Sequence, residues 1–152
     1  MFKRALVVFE NESISPEALL YARELALRMD SEITLLMLIE MAFLDQTWLG
    51  SKRSALSQME ERVGALLAEP LEQLMKAGVA AGAALRVGDP AQELVKFLAE
   101  RPPYQVVIWG SGPELPEPGT GRRGHWLSRA QPALECPLLW AGAREAGEAR
   151  AK

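Results

Sequence analysis

The alternation of apolar runs with helical periods along this chain predicts an α/β fold: one domain with a doubly wound, five-stranded parallel sheet and helices on both faces, whose order reverses between strands one and four if it is 3-2-1-4-5. Three observations carry this. Short apolar runs such as ALVVF and ITLLMLI have the make-up of parallel strands buried on both faces. Longer segments between them repeat their apolar residues at helical spacing. Strands and helices take turns throughout, as parallel pairing with right-handed crossovers requires.

The first strand is ALVVF (5–9). SISPEALLYARELALRM follows, with Ser15 as N-cap, Pro16 at the first helical position and Glu17 near the positive end of the dipole. Leu19, Ala22, Leu25, Ala26 and Met29 form its apolar face. EITLLMLIE (32–40) is the second strand, and a loop bearing Trp48 leads to a helical region over 51–77 with Leu56, Met59, Val63, Leu66 and Leu67 on its buried side. Pro70 interrupts that region. An interior proline costs roughly 3 kcal/mol, which predicts a kink or two helices meeting, with Leu71, Leu74 and Met75 continuing the buried stripe. AALRVG (83–88) is a third, shorter strand. In GDPAQELVKFLAE, Asp89 caps, Pro90 starts the helix and Gln92 stands where a capping box puts its polar partner. YQVVIWG (104–110) is the fourth strand, a long loop follows, GHWLSRAQPALE is partly helical up to Pro132, and CPLLWA (136–141) is the fifth strand. The domain spans 1–142, and 143–152, which lack an apolar period, form a frayed tail.

With 49% apolar and 24% charged residues, the 152-residue chain has the make-up of an ordinary globular domain. A net charge of −3 leaves no overall basic footprint, so nucleic acid is not an expected partner. Cys136 is the only cysteine, which excludes an intramolecular disulfide and a thiolate-rich zinc site and fits a reducing compartment. His125 is the only histidine, so no multi-histidine metal site is available. No run resembles a signal peptide or a membrane span, and the expectation is a cytoplasmic protein without a membrane partner.

The stretch GSGPELPEPGTGRRGHW (110–126) contains GTGRRG, which satisfies the dinucleotide pattern GxGxxG. That fingerprint should turn from the first strand into the first helix, whereas this one follows the fourth strand after an eight-residue detour from Gly110. Gly119 and Gly124 have the P-loop separation, but His125 and Trp126 replace the lysine and the magnesium-binding hydroxyl. Two readings stay open. Gly119 and Gly121, with Pro113, Pro116 and Pro118, simply make an extended surface loop. Or Gly124 and His125 form a modest anion site at the helix start, with Arg122 or Arg123 as charge partner.

Taken together, RALVVFENES, EITLLMLIE, VGDPAQELVKFLAE, YQVVIWGSG and GHWLSRAQPALECPLLW resemble the universal stress protein family, across nearly the whole chain up to Gly142. The last two weigh most, because a glycine-ended apolar strand and Cys-Pro-Leu-Leu flank the loop at nearly the family distance. The resemblance implies a flavodoxin-like, adenine nucleotide α-hydrolase-like sheet, homodimers through the last strand, and one of two functional groups, of which one binds ATP and the other does not. It places a degenerate nucleotide site on Glu10, Ile39, Gly110, Gly112, Gly124, His125 and Ser128. The strand-one aspartate that meets adenosine falls at Glu10, and the Gly-Ser after it falls on Asn11 and Glu12. Gly110 matches the first loop glycine, but the second falls on Pro113, which has no N–H to donate. Ten residues separate Pro113 from Gly124, one more than in the family pattern. His125 takes the place of a phosphate-binding hydroxyl, Leu127 that of a second, and Ser128 comes one place late. Glu10, Glu12, Glu114 and Glu117 are expected on loops facing one crevice, where they repel a triphosphate unless a metal intervenes, with Arg122, Arg123 and His125 as partial counterweights.

The reading that follows is a cytoplasmic, homodimeric stress-response protein that regulates by binding a protein partner the sequence does not identify. It has an eroded nucleotide site, and no catalytic residue, metal or cofactor is expected. The alternative is an ATP- or AMP-binding member, a nucleotide sensor or slow ATPase, in which the lengthened loop refolds around phosphate. An electron-transfer or adenylate-handling protein on the same scaffold rests on fold analogy alone. Cys136 is expected to be a small buried residue rather than a reactive thiol, and Trp109 and Trp140 to be core, or Trp140 to sit at a dimer seam.

Overall fold

Parallel pairing is what the strand–helix alternation demands, and the computed structural model, which describes residues 3–47, 50–101, 103–117 and 125–142, has it throughout. The elements are β1 (Lys3–Glu10), α1 (Pro16–Met29), β2 (Ser31–Ile39), α2 (Met41–Thr47), α3 (Lys52–Lys76), β3 (Ala81–Val87), α4 (Pro90–Ala99), β4 (Val106–Trp109), α5 (Trp126–Ala130), a 3-10 turn (Gln131–Ala133) and β5 (Leu138–Leu139). They form one sheet of order β3-β2-β1-β4-β5, with parallel neighbours. Central position explains the composition of β1: residues 5–9 are at most 1% exposed. Ala5, Val7 and Phe9 pack toward α1 and α3, while Leu6 and Val8 pack toward α4 and α5.

The caps behave as the sequence predicts. Ser15 accepts the N–H of Ala18 at 3.2 Å and Asp89 that of Gln92 at 3.4 Å, each ahead of a proline in the first turn. Several expectations are corrected. The segment after β2 is the short helix α2 rather than a loop, while Trp48 lies outside the described residues. Pro70 does not divide the next helix: α3 runs through it from Lys52 to Lys76. Proline removes one backbone donor, but Met59, Val63, Leu67 and Leu74 bury their side chains on either side of it, and that packing carries the helix across. Leu66 and Met75, expected in that stripe, are 38% and 62% exposed. β3 is seven residues long rather than short, and β5 pairs over two residues only, less than the apolar run CPLLWA suggests. The expected tail, 143–152, lies outside the described residues.

Gly110, at the end of β4, has a packing reason of its own. A Cβ added there would fall 2.5 Å from Cε1 of Phe9 and 2.7 Å from Cγ1 of Val7. The backbone is held at this close approach by its N–H donating to Val8 (2.7 Å) and its carbonyl accepting from Ser15 (2.8 Å). Gly110→Ala is therefore expected to overpack the core and lose about 1–3 kcal/mol of unfolding free energy, read in urea melts.

Candidate functional site

In a doubly wound sheet the ligand crevice lies beyond the carboxyl ends of the strands where their order reverses, here between β1 and β4. β1 delivers Glu10 to this point, β2 delivers Ile39, the β4 end delivers Gly110 and Gly112, and the start of α5 delivers His125 and Ser128. Gly124, Arg122 and Arg123 lie outside the described residues.

Glu10 does not project into open space. Its Oε1 accepts a hydrogen bond from Nε2 of His125 at 2.7 Å and another from the indole N–H of Trp126 at 2.9 Å. Nδ1 of His125 in turn accepts the N–H of Leu127 at 3.0 Å, making His125 the N-cap of α5. The two bonds together select the Nε2–H tautomer, with both ring nitrogens in use. Ser128 turns back on the same residue: its N–H and its hydroxyl donate to the His125 carbonyl at 3.1 and 2.8 Å. The N–H groups of Leu127 and Ser128 and the Ser128 hydroxyl, donors that a phosphate would seek at this helix start, are thus bound within the chain. Around them the rings of Trp109, His125 and Trp126 pack together with centroids 5.1–5.8 Å apart, and the two tryptophans are 2% and 4% exposed. Burial pushes the Glu10 carboxyl up. The hydrogen bonds from His125 and then Trp126, with the charge His125 carries when protonated, outweigh it and hold the group below the usual carboxylate range.

The loop after β1 closes the other side. Asn11 and Glu12 take left-handed backbone conformations, φ 44° and 64°, which turn the chain sharply. The Asn11 side chain accepts the N–H of Glu40 at 2.9 Å and donates to its carboxylate at 2.8 Å. Glu12 faces α3, in an ion pair with Arg62 at 2.6 Å. Ser111 accepts the N–H of Glu10 at 2.8 Å and donates to the Ser13 carbonyl at 2.6 Å, stitching the β1 and β4 loops together. The expected ring of four carboxylates round one crevice is therefore corrected: Glu10 points inward, Glu12 is drawn to α3, and Glu114 and Glu117 are exposed. Glu114 and Glu117, with His125, Ser128, Gln131 and Trp140, line a cavity of about 240 Å³ at the start of α5.

The remaining sequence-derived positions have backbone roles. Ile39 is fully buried and its carbonyl accepts the N–H of Gly88 at 3.0 Å. Gly112 makes only ordinary contacts, with the Glu114 carbonyl oxygen 3.5 Å from where a Cβ would stand. Trp126, Asn11 and Ser111 are not among the site positions that the resemblance assigns, and no linear signal places an indole beside a carboxylate 116 residues away. Trp109 is core, as expected, whereas Trp140 is half-buried. Cys136 is half-buried too, and burial, followed by the charge of Glu135, pushes its thiol up, away from a reactive thiolate. Among the described residues no cluster of three or more metal-binding side chains occurs, and no helix is long and apolar enough to cross a membrane.

Sheet order and the position of the crevice define a doubly wound α/β fold. The sequence model of the universal stress protein family matches residues 1–118, and the chain belongs to that family. Solved structures agree on the fold. A universal stress family protein from Burkholderia pseudomallei is 19% identical over 91% of this chain and 94% of its own, with a TM-score of 0.63. The universal stress protein UspA from Lactobacillus plantarum is 13% identical over 91% and 97%, with a TM-score of 0.64. The universal stress protein from Archaeoglobus fulgidus in complex with dAMP is 15% identical over 91% and 96%, with a TM-score of 0.54. No curated protein sequence matches the chain.

Glu10→Gln tests the carboxylate. The variant is expected to lose about 1–3 kcal/mol at pH 7, because Trp126 and His125 lose a charged acceptor. Since the folded-state pKa of Glu10 is depressed, its contribution is complete above the unfolded carboxylate range and fades as pH falls through the lower folded value. Urea melts should therefore show the gap between wild type and variant narrowing in acid, and a gap that stays constant would count against this account.

Proposed function

We propose that this chain is a universal-stress-type regulatory protein that works through protein interaction in the cytoplasm, is not an enzyme in the ordinary sense, and has a nucleotide crevice closed by its own side chains. One observation carries the reading. Glu10 stands where the family aspartate meets adenosine, and its Oε1 is taken by His125 and Trp126. In this reading a nucleotide entering here competes with His125 and Trp126 for Glu10. Copies of the chain pair, in this reading, along the outer edge of β5, where Trp140 is half-buried.

A second reading keeps the site active. It is favoured by the crevice itself, which has the topology of a family whose structures include complexes with dAMP and AMP. In that case the chain is a sensor or slow ATPase, and nucleotide displaces His125 from Glu10.

Thermal unfolding with and without magnesium ATP, and with AMP, separates the two. A working site stabilises by RT ln(1 + [L]/Kd), about 2.7 kcal/mol at a hundredfold excess over Kd. The closed crevice is expected to give no shift and no nucleotide carried through purification; a clear shift hands the function to the second reading. The triple variant Glu10→Asp, Pro113→Gly, His125→Ser is expected to gain a nucleotide-dependent shift, since it removes the plug and restores a loop donor.

A further inference from the structure

The face opposite the α4–α5 layer is unusually apolar for a finished surface. Leu20 and Leu27 on α1 are 48% and 52% exposed, and Leu66 and Met75 on α3 are 38% and 62% exposed. Of the large apolar side chains exposed among the described residues, only Val95 lies off these two helices. Between α1 and α3 runs a groove of about 470 Å³, with Leu19, Leu20 and Arg23 on one wall and Leu66, Glu69 and Pro70 on the other. Patches of this kind mark interaction sites.

We propose that this face is a self-association surface on which a second copy of the chain docks, α1 of each copy lying in the α1–α3 groove of the other. Two features select this occupant. The first is shape: Leu20 and Leu27 are seven residues apart and form a ridge along one side of α1, beside a groove that can receive such a ridge. The second is charge. Arg23 is half-buried and has no ion-pair partner among the described residues, while Glu69, on the opposite wall, is bonded only to Gln73, at 3.3 Å, among the contacts seen there. A two-fold axis makes such a surface self-complementary, since whatever Arg23 meets on its partner, the partner's Arg23 meets in return. Arg23 of each copy then pairs with the carboxylate across the groove of the other, and the exposed leucines of α1 cover those of α3. This contact is separate from the β5 edge and independent of what the crevice binds.

Sedimentation equilibrium of the full chain tests the pairing. Wild type is expected to associate reversibly. Arg23→Glu and Glu69→Arg should each weaken that step by about tenfold or more, because each reversal sets two like charges opposite one another, and the double reversal should recover most of the loss. Leu20→Ser should also weaken it, with unchanged circular dichroism and Tm. Association that ignores the single reversals, or responds only to changes in β5, overturns the proposal. So does a monomer at every concentration whose Tm rises with decanoate in an Arg23-dependent way, which would give the groove to an amphiphilic carboxylate.

Discussion

A carboxylate at the end of the central strand needs partners, and much of the crevice is arranged to supply them. Left without donors at the edge of an apolar core, Glu10 would lose its hydration with nothing in return, a cost on the order of 1–3 kcal/mol or more for a charged group. His125 and Trp126 meet that need from the start of α5, 115 and 116 residues along the chain. To do so they must stand over Trp109 at the end of β4, which in turn needs the close passage of Gly110 over Phe9 and Val7. The order of dependence runs from the strand-end acid to the helix start, and from there to the path of the β4 loop.

Most of the fold could be read from the chain because its signals are local. A buried parallel strand is an apolar run, and Ser15-Pro16 and Asp89-Pro90 announce helices through their own backbone chemistry. The misreadings occur where tertiary contacts overrode local rules. Pro70 is a breaker in isolation, yet α3 crosses it because residues on both sides are packed on the sheet. Leu66 and Met75 each stand one residue, about 100° of helix rotation, from the buried line Met59, Val63, Leu67 and Leu74, and so face outward. At β5 the apolar run CPLLWA is longer than the two residues that pair with β4.

The site was legible in outline and not in its chemistry. Glu10, Gly110, His125 and Ser128 do gather where the sheet order reverses, because a topology inferred from strand order fixes which strand ends meet. What they do to one another depends on side-chain directions that one sequence does not encode visibly. Glu12, one turn from Glu10, faces α3 instead of the crevice because Asn11 and Glu12 both adopt left-handed backbone angles. Gly110 matches a phosphate-loop glycine by position, while its surroundings require it for packing whether or not phosphate ever binds.

The contact of the only histidine with two buried indoles also has an optical side. Trp126 donates its ring N–H to Glu10 and Trp109 lies edge-on to the imidazole, so both chromophores share the electric field of one carboxylate and one titratable ring. Anything that draws His125 away from Glu10, whether a nucleotide or a docking protein, alters the surroundings of both indoles. The crevice thus carries its own spectroscopic label, and its opening can be followed in unmodified protein.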